Sequence, residues 1–113
     1  MANENIYLIE MKNDQESFFK IGTTVHRYCR FYELMKPGYK IEIVFMVFGI
    51  DFYEAMNAEK ELQKIFTPYI PLKKFGGYRE CFKIIDIDIY KEKLNGLITS
   101  YTEITTNLEI SWR

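Results

Sequence analysis

Ile6-Tyr7-Leu8-Ile9-Glu10-Met11, Lys12-Asn13-Asp14-Gln15-Glu16-Ser17 and Phe18-Phe19-Lys20-Ile21-Gly22 stand in succession near the start of the chain. Their reading decides the fold. The outer two are rich in β-branched and aromatic residues and predict strands; the middle one is a polar connection of the length that joins an antiparallel pair. Strand alternation sets Ile6, Leu8 and Glu10 on one face and Tyr7, Ile9 and Met11 on the other. In the second strand Phe18, Lys20 and Gly22 oppose Phe19 and Ile21. A tyrosine, a lysine and a glycine can thus bring polar groups together on one hairpin.

Downstream, Thr23-Thr24 offers a helix start with Thr24 as N-cap, and a helix over His26–Lys36 stops at Pro37-Gly38. Tyr28, Phe31, Tyr32 and Met35 form its inward stripe, with Arg30 on the polar flank and Arg27 nearer the centre. Tyr39–Phe48 reads as a central strand, because Ile41, Ile43, Phe45 and Val47 alternate with the equally apolar Val44, Met46 and Phe48. Asp51 is placed to cap a helix over Phe52–Phe66, with Ala55, Ala58, Leu62, Ile65 and Phe66 facing inward. Helical spacing puts Glu59 inside that stripe. A carboxylate aimed into a packed face requires a cation, a metal or several hydrogen-bond donors. An ion pair with Arg27, Arg30 or Lys20 that only fixes the fold is one answer; a bound ligand is another.

Thr67–Tyr78 is a loop with prolines, glycines and basic residues. Glu80–Ile85 predicts a short edge strand, and Asp88–Tyr101 an amphipathic helix carrying Tyr90, Leu94, Leu97 and Tyr101 inward. The tail Glu103–Arg113, with Leu108, Ile110 and Trp112 on one side, fits either an extra strand or a dimer contact. The expected architecture is α/β of the α+β kind: one domain over residues 1–113, with a small mixed or antiparallel central sheet flanked by helices.

The chain has 113 residues, 48% hydrophobic and 17% aromatic, enough for one core. No apolar run approaches the roughly 20 residues that span a bilayer, and the N-terminus lacks the pattern of a signal peptide. Cys29 and Cys81 have no metal-type spacing and read as core thiols in a reducing, cytoplasmic setting. The net charge of −1 argues against a partner held by bulk electrostatics. Any nucleic-acid role must use a local basic patch, because phosphate neutralisation supplies most non-specific affinity.

Asn5-Ile6-Tyr7, Lys20-Ile21-Gly22, Arg30, and the Glu59, Leu62 and Phe66 set follow in the order and spacing of the GIY-YIG nuclease superfamily, which this chain resembles. Lys-Ile-Gly in the second motif and Glu80-Cys81-Phe82 are similar to its small viral and phage branch. The match covers about Ile6–Phe82, the family-like core being residues 5–85, and leaves residues 86–113 outside. The resemblance implies a DNA endonuclease that hydrolyses phosphodiester bonds with one Mg²⁺ or Mn²⁺. Tyr7 would orient or deprotonate a water, Lys20 would place a cation beside that phenol, Arg30 would hold the phosphate and Glu59 the metal. Arg27, Lys73, Lys74 and Arg79 are the candidate substrate contacts. A domain this small implies a homodimer or a protein partner, engaged through the C-terminal tail. Three departures stand out: Asn5 replaces a glycine, Lys20 a tyrosine, and Leu34 the aromatic or histidine four residues after the arginine. They keep a second reading open, a weakened or inactive relative that binds protein or DNA.

Overall fold

The computed structural model describes residues 3–110, and the side chains of residues 27 and 28 fall outside that description. The predicted hairpin forms as β1 (Glu4–Lys12) and β2 (Ser17–Thr24), paired antiparallel with Tyr7 opposite Gly22 and Ile9 opposite Lys20. Then follow α1 (Arg27–Met35), β3 (Lys40–Ile50), α2 (Phe52–Gln63), β4 (Cys81–Phe82), α3 (Ile87–Leu97) and β5 (Glu103–Ile110). Every strand pairing is antiparallel, and the order is β4-β2-β1-β3-β5. The fold is therefore mixed α+β, a five-stranded antiparallel sheet with three helices among the described residues. The tail reads out as the extra strand: β5 pairs with β3 from Glu103 to Ile110. Trp112 lies outside the described residues. No described helix is long and apolar enough to cross a membrane.

β3 is an interior strand as expected, flanked by β1 and β5, and β1 holds the middle of the sheet, which explains its own near-continuous apolar run. Ile6 and Leu8 join Ile21, Val47 and Ile50 on one face, beneath Ala55, Ala58 and Leu62 of α2 and Tyr90 and Leu94 of α3. Tyr7, Ile9 and Met11 join Phe18, Ile41, Ile43 and Met46 on the other, beneath Phe31 and Leu34 of α1. β3 breaks its predicted alternation. Leu8 faces Phe45 while Ile9 faces Ile43, so Val44 is an extra residue, a β-bulge. Beyond it Met46 and Phe48 share the face of Ile41 and Ile43, and Phe45 and Val47 take the opposite one.

Helix ends shift for local reasons. Asp51 caps α2 as expected, accepting from the Tyr53 and Glu54 N–H groups at 3.1 and 3.2 Å. The helix stops at Gln63, short of Phe66, which turns Ile65 out to 40% exposure. Thr24 ends β2 instead of capping α1; its Oγ1 accepts from the His26 N–H at 3.0 Å, and His26 takes the cap position without a side-chain bond. In α1 the inward positions are Phe31 and Leu34, with Met35 half-buried. Leu34 is core. α3 ends at Leu97, leaving Tyr101 exposed, and the edge strand shrinks to Cys81–Phe82. Cys81 is the expected core thiol, whereas Cys29 is exposed on α1.

Candidate functional site

The register of the hairpin places Tyr7, Lys20 and Gly22 on the α1 face of the sheet. Tyr7 and Lys20 are both fully buried. A buried ammonium is costly unless paired, and Lys20 is paired twice over. Its Nζ donates to Tyr7 Oη at 3.4 Å and to Glu80 Oε1 at 3.2 Å. The Tyr7 ring packs edge-on against Phe31, centroids 5.2 Å apart, which fixes the phenol from the α1 side. Gly22 is the floor on which this phenol lies. A Cβ there would stand 2.3 Å from Tyr7 Oη, 2.5 Å from its Cζ and 3.1 Å from Lys20 Nζ. Gly22→Ala should therefore cost about 1–3 kcal/mol, the usual range for forcing an atom into a packed site. Urea unfolding checks it, and an unchanged midpoint would show that the phenol does not lie there.

Arg30 arrives from α1. Its Nη2 donates to the Gly76 carbonyl at 2.8 Å, and its Nη1 stands 4.0 Å from Glu33. Residues 75–80 form two tight turns, closed by Tyr78 N–H to Phe75 O and Glu80 N–H to Gly77 O. Gly77 takes φ +81°, a value that favours glycine. The Cβ position at Gly77 is 2.8 Å from Glu80 Oε1 and 2.9 Å from both Arg30 Nη2 and Lys20 Nζ. Three charged groups from three separate elements thus meet at one point. Two are cations and one is a carboxylate; Lys20 is paired with Glu80, and Arg30 keeps Glu33 at 4.0 Å beside its bond to Gly76.

Glu59 approaches from the other face, since α2 covers the Ile6 and Leu8 side of the sheet. β4 pairs only with Phe19 and Lys20. The Gly22–Thr24 end of β2 therefore has no strand neighbour on that side among the described residues, and the charges of Lys20 and Glu80 act on Glu59 past it. Glu59 is half-buried and has no ion pair among the described residues. Burial pushes its carboxyl up to about 7; the Glu80 and Glu4 carboxylates add to the rise, against the Lys20 ammonium and a hydrogen bond from the Thr23 backbone. The purely structural ion pair is thus not what occupies Glu59.

The remaining candidates divide. Lys74 lies 5.9 Å from the Tyr78 ring centroid and Arg79 stacks on the same ring at 5.7 Å, its Nε donating to the Tyr78 hydroxyl. Lys73 Nζ donates to the Pro37 carbonyl at 2.6 Å and ties this loop to the α1–β3 turn. Arg27 begins α1, but its side chain is outside the description.

Among the described residues no three His, Cys, Asp or Glu side chains gather as a metal-binding group. A single carboxylate with like charges nearby nevertheless suits Mg²⁺ or Mn²⁺, which keep several waters and take few protein ligands. The Tyr90 hydroxyl adds to that fit. It is buried without a hydrogen-bond partner among the described residues, and it lies close enough to Glu59 and Tyr7 for both to raise its pKa beyond the effect of burial. A water held at Glu59 is the kind of group such a hydroxyl lacks.

The sequence reading missed Glu80, Glu4 and Glu16 as functional or structural carboxylates. Glu80 precedes the strand that pairs with Lys20, but that pairing is a long-range outcome with no local signal. Glu16 carried none, sitting in a polar loop where a solvated charge is the ordinary case. Its carboxylate is instead buried, accepting from the Tyr39 and Tyr69 hydroxyls and from the Leu72 N–H, and it clamps the loop that presents Gly76 and Gly77. No family model, curated protein or solved structure matches the chain.

Proposed function

We propose that the chain is a metal-dependent DNA endonuclease of the GIY-YIG type. The observation that supports it most is the meeting of Tyr7, Lys20 and Arg30 at the Gly22 and Gly77 backbones, with the unpaired Glu59 in the field of Lys20. In-line attack on a phosphodiester needs an oriented water, neutralisation of the phosphate and relief of charge on the leaving oxygen. Arg30 offers its planar fork to phosphate oxygens. Lys20 holds the Tyr7 hydroxyl in place and adds positive potential, and Tyr7 orients the water. Glu59 would hold Mg²⁺ or Mn²⁺, which when bound neutralises phosphate charge and makes a bound water more acidic.

The test uses supercoiled plasmid with Mg²⁺ or Mn²⁺ and compares wild type with Glu59→Ala and Arg30→Ala. Each variant should nick at least about 10²-fold more slowly, the scale of removing one charged group that stabilises a transition state. Equal nicking by all three would assign the activity to a contaminant. No nicking by wild type in either metal would overturn the proposal.

One observation favours a second reading. Tyr7 and Lys20 are sealed from solvent, and Glu80 already neutralises Lys20, as expected of a site retained for shape by an inactive binding factor. That reading requires DNA or protein binding that Glu59→Ala leaves intact and no cleavage with any divalent metal.

A further inference from the structure

We infer that the α1–β3 turn and the loop at residues 73–76 form a phosphate-tracking groove that receives a DNA backbone and leads it to Arg30. The inference rests on the DNA reading above and adds the surface that would carry affinity. A groove of about 320 Å³ is lined by Arg30, Lys36 and Lys74 against the single carboxylate of Glu33, over Leu34 and Pro37. It shares Lys36 with a neighbouring groove of about 440 Å³ that adds Lys40 and no carboxylate. Lys36, Lys40 and Lys74 have no ion pair among the described residues. The bond from Lys73 to the Pro37 carbonyl holds the two walls together.

This is the local basic patch that a chain of net charge −1 needs if it is to bind nucleic acid. The neutral balance of the whole surface hides it. The chemistry favours backbone over base contacts. Phe75, the aromatic in the groove, is already stacked on Phe18 and edge-on to Tyr39, with centroids 6.3 and 5.7 Å away, so its faces are engaged. Flexible, unpaired ammonium groups over an apolar floor suit phosphates read without regard to sequence.

The experiment is fluorescence anisotropy of a labelled DNA duplex in EDTA across a salt series, which separates binding from cleavage. Lys36→Gln with Lys74→Gln should weaken binding about tenfold and reduce the slope of log K against log salt by about two, one for each phosphate no longer neutralised. Lys91→Gln with Lys93→Gln, exposed on α3, should leave both unchanged. Absence of binding by wild type, an unchanged slope in the groove variant, or an equal loss in the α3 variant would overturn the groove. So would a polyglutamate peptide competing as well as unlabelled duplex, which would make the patch a general anion surface. DNA binding through the groove without nicking would leave this inference standing while the nuclease reading fell; nicking with an unchanged KM in the groove variant would do the reverse.

Discussion

Glu16→Ala should lower stability by about 1–3 kcal/mol, the range for leaving a buried hydrogen-bonding group unsatisfied. The carboxylate joins two parts of the chain far apart in sequence. Tyr39 and Tyr69 donate their hydroxyls to its two oxygens, and the Leu72 N–H reaches both at 3.1 and 3.2 Å. Truncation leaves the buried Tyr39 hydroxyl without its acceptor, whereas the half-buried Tyr69 hydroxyl and the N–H of exposed Leu72 can turn to water. The pH dependence follows from the same interactions. Burial alone would raise the Glu16 carboxyl, but the Tyr39, Tyr69 and Leu72 hydrogen bonds, helped by Lys83, hold it below the ordinary carboxylate value of 4.5. Its folded value being the lower, its contribution is present above that ordinary value and is lost as pH falls through the folded one. Wild type should lose melting temperature on the acid side, and Glu16→Gln should flatten part of that fall. A Glu16→Ala protein as stable as wild type would show that the carboxylate is no clamp. Because the clamped loop presents Gly76 to Arg30, loosening it should also reduce whatever Arg30 does.

Under the proposed nuclease function, Glu59→Gln should reduce cleavage by about 10²–10³-fold, the scale of a removed electrostatic catalytic group; independently of it, the same change should make the metal-free fold more stable at alkaline pH. The two effects have one origin. Burial and the neighbouring carboxylates raise Glu59 to about 7, above its unfolded value, so its favourable term is complete below the ordinary carboxylate range and disappears as pH rises through about 7. Glutamine carries no charge and does not incur that loss. Melting curves at acid and alkaline pH, with and without Mn²⁺, read the stability half. At subsaturating metal, wild-type cleavage should rise with pH as Glu59 ionises. Loss of activity without the alkaline gain would show that Glu59 is not the strained carboxylate described here.

Much of the fold was legible because local chemistry agreed with global packing. The alternation of Ile6–Met11 gave both faces of the central strand, Asp51 gave the start of α2, and Ala55, Ala58 and Leu62 gave its buried side. The Val44 bulge was hidden because Val44 and Phe45 are both apolar, so either alternation satisfies the pattern. Ile65 was misplaced because the helical stripe continues past the point where the helix ends. Of the site, Tyr7, Lys20 and Gly22 share a face by strand period alone, and Glu59 is inward by helical period. Arg30 stood on a polar flank that periodicity does not distinguish. Its seat on Gly76, like the Lys20–Glu80 pair, depends on long-range packing that no local signal encodes. The approach of Glu59 from the face opposite Lys20, near a two-residue edge strand, belongs to the same class.

The central claim is that Glu59 is a half-buried carboxylate crowded by like charge, without an ion pair among the described residues, and the proposed function adds that it takes a divalent cation. Following its side-chain carboxyl by ¹³C NMR through a pH titration, with and without Mg²⁺, tests this directly. The midpoint should stand near 7 and move to lower pH when Mg²⁺ is added, with Glu59→Gln identifying the resonance. A midpoint in the ordinary carboxylate range, indifferent to Mg²⁺, would contradict it.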